Sequence, residues 1–180
     1  MSWIIDPAHS HIHFSVRHMM ISTVRGRFNE FTGTIEFDEA NPLNSTVDVT
    51  INTPSIDTRE KKRDDHLRSP DFFEVEKYPH IIFKSKRIEQ TGDKNGHLIG
   101  DLTIRDVTKE VTLDVEYAGQ AKSPWGMTSA GFTASAPINR EDFGLKWNQP
   151  LETGGFLVGD KIKIDIEVEL INQPEEETAE

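Results

Sequence analysis

Four histidines fall within ten residues near the start of the chain, in the stretch HSHIHFSVRH that runs from His9 to His18. Three of them, His9, His11 and His13, occupy alternate positions, so an extended strand would point them to the same side. Alternate residues of a strand stand about 6.6 Å apart, which lets two imidazoles share one metal ion. A third ligand would need a distorted strand or the carboxylate of Asp6. The stretch therefore predicts either a metal-binding module or, more simply, a solvated strand face.

His18 belongs to the opposite side of the same strand, together with Ile12, Phe14, Val16 and Met20. It is the only ionisable side chain in this apolar row. One interpretation is a half-buried histidine that hydrogen-bonds to the backbone. The other is a polar group that recognises the headgroup of a ligand held inside the fold. Both interpretations stay open at this point.

A second candidate cluster, RDDH at Arg63 to His66, combines acids and a base in consecutive positions. Consecutive residues of a helix fan around its axis and do not converge, so a solvated helix face is the simpler interpretation. The chain contains no cysteine, which excludes disulfides, thiolate metal sites and a cysteine nucleophile. It also lacks nucleophile-elbow, phosphate-loop, dinucleotide-binding and HExxH motifs.

The elements that must position these residues are mostly strands. In KIKIDIEVEL, residues 161–170, aliphatic residues alternate with charged ones, and NSTVDVTIN and EVTLDVEY alternate in the same way. Period-two alternation with one polar side predicts antiparallel strands around a single core. About eight such runs favour an antiparallel barrel or sandwich. Runs as long as His9 to His18 predict a tall barrel, whose narrow apolar interior suits a long, thin, apolar molecule.

Two segments break the alternation, and the first predicts a short surface helix near residues 58–73. Asp57 with Glu60 three positions later forms a capping box, which starts a helix near Thr58. Ser69, which precedes a proline, predicts a second helix start. The segment has few apolar residues, so its helix cannot lie in the core.

The second break, INREDFGLKWN, predicts another short helix over residues 139–143 with Asn139 as its candidate cap. Aromatic residues are frequent in or beside such irregular segments, where polar residues are usual. They form either a satellite cluster beneath long loops or the wall or entrance of an apolar pocket. The residues concerned are Trp125, Phe143, Trp147 and Phe156.

An acidic composition limits the partners. The formal net charge is -11 at pH 7, and the C-terminal PEEETAE contributes four acids, which leaves about -7 for the rest. A body of this charge repels nucleic-acid phosphates and anionic lipid surfaces. We expect one domain over residues 1–172 and a disordered acidic tail over residues 173–180. Because the start shows no signal-peptide pattern and no apolar run approaches ~20 residues, we expect a cytoplasmic protein.

Five stretches are spread along nearly the whole chain before the tail, from residue 6 to residue 170: DPAHSHIHFSVRHMMISTVRGRF, SIDTREKKRDDHLRSPDFFEVEKYP, GDLTIRDVTKEV, INREDFGL and LVGDKIKIDIEVEL. In this order they resemble the YceI-like polyisoprenoid-binding family. The resemblance implies an all-β fold, namely an extended, eight-stranded antiparallel up-and-down barrel of lipocalin-like type. It also implies a long isoprenoid or similar amphiphilic chain held in an apolar pore, a homodimer, and no catalytic activity.

The resemblance further implies where the ligand would lie. The FSVRHMM stretch implies a pore-facing row, and the SPDFF and NREDFG stretches imply aromatic rings that line or close the pore. Strand parity, rather than the resemblance, adds Phe83, Leu102, Phe132 and Ile162. Together with the loop aromatics, the expected ligand-binding residues are Phe14, Val16, His18, Met20, Phe72, Phe73, Phe83, Leu102, Trp125, Phe132, Phe143, Trp147, Phe156 and Ile162.

We therefore expect a non-enzymatic binding protein that carries, stores or sequesters a long-chain isoprenoid or quinone-like lipid. We expect no resident cofactor, no metal, no nucleic-acid partner and no stable membrane insertion. One alternative is an enzyme that acts on a prenyl substrate through His18 or the RDDH cluster. Another is the metal-binding module built on the three alternate histidines. A third is a barrel that is filled by its own side chains and serves as an interaction surface.

Overall fold

Antiparallel pairing closes strands of this protein into a barrel. The computed structural model describes residues 2–38 and 40–172, so the predicted acidic tail at 173–180 lies outside the described residues. The strands are β1 Ser2–Ile5, β2 His11–His18, β3 Ser22–Phe28, β4 Phe31–Glu36, β5 Thr46–Asn52, β6 Ile56–Asp57, β7 His80–Gln90, β8 Asn95–Ile104, β9 Val107–Lys122, β10 Thr128–Asn139 and β11 Val158–Asn172. The hydrogen-bonded ring runs β1-β4-β5-β7-β8-β9-β10-β11 and returns to β1, while β2, β3 and β6 continue the sheet from β11. The predicted all-β, eight-stranded antiparallel barrel is confirmed.

Three of the eight barrel positions, which we call staves, each consist of two strands that are separated by a break in the ladder. Ile5 of β1 lies opposite Leu170 and His11 of β2 lies opposite Glu167, so β1 and β2 pair with successive parts of β11. β3 and β4, which pair with β2 and β1, form the next interrupted stave. β5 pairs with β4 and β6 pairs with β3, which makes the third. With these pairs counted as single staves, the chain passes up and down the barrel in sequence order.

The break between β1 and β2 corrects the expectation of a strand that starts at His9. A 3-10 turn covers Pro7–His9, and β2 begins only at His11. A proline has no N–H to donate to the sheet, so the ladder is interrupted here. The backbone N–H of Glu169 donates instead to the side chain of Ser10, at 3.0 Å.

The other end of β2 also departs from the expected alternation. β2 ends at His18, and the next two residues, Met19 and Met20, have left-handed φ values of 52° and 62°. The N–H of Ile21 donates to the carbonyl of His18 at 3.2 Å, which closes a tight turn into β3. Met20 therefore lies in a turn, where strand parity no longer applies.

The α-helix α1, Lys61–Arg68, begins later than the capping pattern predicts. Glu60 is its N-cap, whereas Asp57 accepts a hydrogen bond from the N–H of Arg59 at 2.9 Å. Arg59 has a left-handed φ of 65°, which prevents a helix from starting at Thr58.

The second predicted helix start, at Ser69 and Pro70, is wrong. Ser69 is the C-cap of α1, and its N–H donates to the carbonyl of His66 at 3.1 Å. Residues 70–77 follow as turns and do not form a helix. A serine before a proline is compatible with either end of a helix, and here Ser69 lies at the C-terminal end of α1.

The predicted helix over residues 139–143 is a short 3-10 helix, Arg140–Phe143. Asn139 caps it as expected, since its side chain accepts a hydrogen bond from the N–H of Glu141 at 3.0 Å. Gly144 ends it in the left-handed region, with a φ of 79°. None of the helices in residues 2–38 and 40–172 is long and apolar enough to cross a membrane.

Buried hydrogen bonds fasten α1 to the barrel. Asp64 is buried and accepts hydrogen bonds from the N–H and the hydroxyl of Thr58, at 2.9 and 2.5 Å. Arg63 donates to the hydroxyl and the carbonyl of Thr58, each at 2.7 Å. Arg68 donates to the carbonyl of Pro54, before β6, and to that of Ile56 in β6, at 3.0 and 2.9 Å. The expectation of a solvated RDDH face is thus wrong for Asp64, because this carboxylate satisfies a buried amide and hydroxyl.

Replacement of Asp64 by alanine is expected to lower the free energy of unfolding by about 2 kcal/mol, because it leaves the buried polar groups of Thr58 without an acceptor. The neighbouring variant Asp65→Ala is the matched control, since Asp65 only forms an exposed ion pair with Arg68 at 3.2 Å and should cost less than about 1 kcal/mol. Urea unfolding followed by circular dichroism measures both. Equal losses would contradict the buried role of Asp64.

Candidate ligand-binding cavity

A cavity of about 980 Å³ occupies the interior of the barrel. Its walls are the inward rows of the strands, because period-two alternation sends the charged residues of each strand outward. From β2 and β11 the lining residues include Ile12, Phe14, Val16, Ile162, Ile164, Ile166 and Val168. The volume lies at the upper end of the range for small-molecule sites, about 300–1,000 Å³.

The cavity runs the length of the barrel. We call one end the helix end; it carries α1, the β2–β3 turn at residues 19–21 and the loop at residues 144–157. The opposite end carries the β7–β8 turn at residues 91–94 and the β9–β10 turn at residues 123–127. Arg63 and Trp147 line the cavity at the helix end, and Lys94 and Asn95 line it at the opposite end. Its polar lining residues therefore lie mainly near the two ends, with apolar walls between them.

Two glycines on the inward rows leave room for aromatic rings beside the wall. A Cβ atom on Gly26 would lie 2.3 Å from the ring of Phe14, which faces it across the β2–β3 pair. A Cβ atom on Gly100 would lie 2.6 Å from the ring of Phe83. The rings thus pack where the glycines have no side chain, which keeps the middle of the cavity open.

Aromatic rings narrow the cavity at the helix end. The ring of His66 lies edge-on to those of Phe72 and Trp147, with centroid distances of 5.0 and 4.6 Å. Phe72 and Trp147 are 5.5 Å apart. His66 Nε2 also lies 2.9 Å from a carboxylate oxygen of Asp71. This cluster, which joins α1 to the loop at residues 144–157, forms a partial lid.

A buried arginine holds that loop in place. Arg140 is only 2% exposed. Its guanidinium donates to the carbonyls of Leu145, Trp147, Val158 and Gly159, at 2.5, 2.9, 3.3 and 2.8 Å. Burial lowers the pKa of Arg140, while the Asp160 carboxylate, 3.9 Å away, and Glu141 act in the opposite direction. Sequence reasoning missed this residue, because its partners are carbonyls of a loop that no periodic pattern marks.

His18 lies half-buried in the cavity wall at the helix end. Its carbonyl closes the β2–β3 turn. Its imidazole has no hydrogen-bond partner among the protein groups that the structure describes. The backbone-bonded interpretation of this ring is therefore not what the structure shows, and the ring is free to meet a ligand.

The structure brings most of the predicted ligand-binding residues together around the cavity. Those that line it are Phe14, Val16, His18, Phe72, Phe73, Phe83, Leu102, Phe132, Trp147 and Ile162. Sequence reasoning did not include the polar residues of the β7–β8 turn, such as Asp93 and Lys94. Their only signal was a hairpin pattern, which gives no indication of an open barrel end.

Four predicted residues lie outside the cavity lining. Met20 and Phe156 are exposed at the helix end. Met20 follows the last inward residue of β2, and Phe156 precedes the first residue of β11. Trp125 is exposed in the β9–β10 turn at the opposite end. Phe143 is buried in the core within the short 3-10 helix that begins at Arg140. All four lie outside regular strands, so parity could not place them.

The three alternate histidines do not converge. His11 and His13 are exposed on the outer face of β2, opposite Glu167 and Asp165 of β11. His9, in the 3-10 turn, instead has its Nδ1 atom 2.6 Å from a carboxylate oxygen of Asp6. The rings of His11 and His13 lie beside each other, with centroids 5.6 Å apart. Within the described residues, the group of three ligand atoms that comes together, within 4.8 Å, is instead that of Asp6, His9 and Glu169. The alternative of a metal module built on all three alternate histidines is therefore not the geometry that forms.

Comparison with known proteins agrees with this architecture. The YceI-like domain family matches residues 3–170. The chain belongs to this family. A YceI-like relative, Protein YceI of Escherichia coli O157:H7, is 44% identical over 138 residues, which cover 77% of this chain and 72% of the relative.

Two solved structures share the YceI-like barrel. The crystal structure of Burkholderia cenocepacia BcnA has a TM-score of 0.81 and 25% identity, and the match covers 94% of this chain and 99% of BcnA. A polyisoprenoid binding domain from Saccharophagus degradans, implicated in plant cell wall breakdown, has a TM-score of 0.67 and 14% identity. That match covers 96% of this chain and 98% of the domain, and it shows a shared fold.

The pKa of His9 in this YceI-like domain is expected to exceed its ordinary value of 6.5, because Asp6 accepts its hydrogen bond and the charges of Asp6 and Glu169 favour imidazolium. The stabilisation is present below pH 6.5 and is lost as the pH rises through the raised pKa. NMR titration of the ring protons measures it. Asp6→Asn should lower the pKa, whereas Asp165→Asn, farther along β11, should leave it unchanged. An ordinary pKa in the native protein would contradict the contact.

Proposed function

We propose that this protein is a non-enzymatic binding protein that holds a long-chain isoprenoid, or a similar amphiphilic lipid such as a quinone, for carriage, storage or sequestration. The observation that carries the proposal is the continuous apolar cavity along a closed barrel. Such a shape favours a molecule that is apolar over most of its length and polar at an end. No resident cofactor is part of the proposal.

The driving force would be burial of the ligand's apolar surface, about 25 cal/mol per Å². Part of this gain is offset by the entropy lost when a flexible chain is ordered. The cost of moving side chains out of the cavity when a ligand enters is also reduced, because the rings of Phe14 and Phe83 already pack beside glycines. A ligand would therefore enter without displacing them.

The relatives support the ligand class. The solved Saccharophagus degradans domain is described as polyisoprenoid binding, and this chain shares its fold. A protein that binds one long isoprenoid needs a cavity that is long as well as apolar, which the barrel provides. The homodimer implied by the sequence resemblance stays a prediction.

The polar groups at the helix end favour binding over catalysis. Arg63 and Arg140 are engaged with backbone and hydroxyl groups of the protein itself. His66 faces aromatic rings and Asp71. A general acid–base pair requires two groups within hydrogen-bond reach of one reacting atom, and the imidazole of His18 has no such partner among the described residues. We propose that His18 contacts the ligand's headgroup.

Native mass spectrometry of gently purified protein is expected to show a bound long-chain lipid, and added prenyl lipids should raise the melting temperature. Ala134→Phe, which adds a ring to the cavity wall, should weaken binding by about tenfold or more, equivalent to about 1.4 kcal/mol.

The matched control is Thr133→Phe, since Thr133 is the exposed neighbour of Ala134 on β10 and points to the outer face. It should bind as the native protein does. An empty cavity with no thermal shift on adding prenyl lipids, or equal effects of the two substitutions in folded proteins, would refute the proposal.

His18→Ala is expected to weaken binding of prenyl alcohols or phosphates by about fivefold, since it removes about one hydrogen bond to the headgroup. Binding of squalene, an isoprenoid without a headgroup, should be unchanged. Isothermal titration from detergent measures both. An equal loss for both ligands would assign His18 to packing, and turnover of a prenyl substrate that His18→Ala abolishes would favour the enzyme.

A further inference from the structure

Four apolar side chains are exposed together at the helix end. Met19 is 42%, Met20 62% and Ile21 77% exposed in the β2–β3 turn, and Phe156 is 59% exposed in the loop before β11. The N–H of Met19 donates to the carbonyl of Leu157 at 2.8 Å, so the turn and the loop form one surface. We call Met19, Met20, Ile21 and Phe156 the apolar lip.

The residues at the β2–β3 turn of this lip are not those that would best stabilise the fold. A hairpin turn whose two central residues both have positive φ normally uses asparagine or glycine at those positions. Here Met19 and Met20 occupy both positions, with φ values of 52° and 62°. Large apolar side chains therefore face water at positions that also strain the backbone, and strain of this kind concentrates at functional sites.

The lip adjoins the mouth of the cavity. His18, which precedes the turn, and Leu157 and Val158, which follow Phe156, all line the cavity. A surface that covers the lip would therefore meet the cavity where a ligand enters or leaves. The exposed Trp125 at the opposite end has no such position, since it lies outside the lining.

Positive charge borders the lip, although the chain as a whole is acidic. Residues 9–28 contain no aspartate or glutamate, and they include Arg17 and Arg25, which are both exposed. Lys62 of α1 is also exposed and lines the same mouth, as does Glu60, and the loop of Phe156 carries the exposed Glu152. The positive charge therefore lies on the β2–β3 side of the lip, which residues 9–28 form. Apolar side chains beside cations match a phospholipid bilayer, which presents phosphates above an apolar interior.

We propose that the apolar lip docks on the headgroup region of a phospholipid bilayer and so brings the cavity mouth against the lipid. A second protein copy fits less well, because four side chains are far fewer than the ~20–30 residues a side of a stable protein interface. The contact is peripheral, since only turn and loop residues reach the bilayer. The biological purpose of docking rests on the proposed function, but docking itself does not, because it is measured without any bound ligand.

Flotation with zwitterionic phosphatidylcholine vesicles tests docking, since anionic vesicles would repel a chain of net charge -11. The double variant Ile21→Ser/Phe156→Ser should lower the vesicle partition coefficient by about tenfold or more, because it removes two inserting apolar side chains. All lip residues are exposed, so the variant should fold, as circular dichroism would verify.

The matched control is Ile4→Ser/Trp125→Ser, which removes two exposed apolar side chains that lie towards the opposite end and do not line the cavity. Its partition coefficient should stay within about twofold of the native value, because those residues lie away from the lip. Absence of native vesicle binding, or an equal loss in both variants, would overturn the proposal. So would a native dimer that Ile21→Ser/Phe156→Ser dissociates while vesicle binding is unchanged.

Cargo binding separates this inference from the proposed function. Native mass spectrometry with prenyl lipid supplied from detergent needs no docking. Cargo binding without vesicle binding would refute the lip and leave the function standing. Vesicle binding through the lip without cargo binding would refute the proposed function and leave the docking proposal standing.

Discussion

The architecture depends on β11, which forms hydrogen-bonded pairs along both edges. One edge pairs with β10 from Asn139 opposite Lys161 to Thr128 opposite Asn172, and the other pairs with β2 and then β1. This double pairing closes the barrel and removes an open sheet edge, which would otherwise invite aggregation. The same strand supplies one wall of the cavity. A register slip of one residue would turn the lysines and glutamates of β11 inward. Closure of the barrel and the apolar lining of the cavity therefore depend on the same register of β11.

The two ends of the barrel are built differently. At the opposite end the strands are joined by the β7–β8 and β9–β10 turns and by the β4–β5 loop, which contains a 3-10 turn at Pro42–Asn44. The two longest connections, residues 58–79 and 140–157, lie at the helix end, where they cross the mouth and need their own polar partners. Arg140 and Asp64 supply these partners from within. All the left-handed non-glycine residues of the described chain also lie in connections at the helix end, namely Met19, Met20, Arg59, Glu74 and Arg105. Each such residue costs of order 1–3 kcal/mol, so this end combines strain with buried polar anchors.

Strand parity explains how much of the site could be predicted from sequence. Val16 and Ile162 could be placed on the cavity wall, because alternation survives unchanged in the folded strand. Met20 could not, since the turn begins before it, and Trp125 lies in a turn where no parity exists. Arg140 gave no signal at all, because its partners come together only in the tertiary fold. The residues that sequence patterns miss are those whose roles depend on connections rather than strands.

The packing of Phe14 on Gly26 and of Phe83 on Gly100 has a consequence for the shape of the cavity. The space that these two rings occupy beside the wall exists because of two glycines that are absent from the cavity lining. A methyl group added at Gly26 would collide with the ring of Phe14, whereas one added at Gly100 would also lie 2.5 Å from the backbone carbonyl of Lys84, so that the strand itself would have to shift. The shape of the cavity therefore depends on residues outside its lining, which a search confined to the lining residues would overlook.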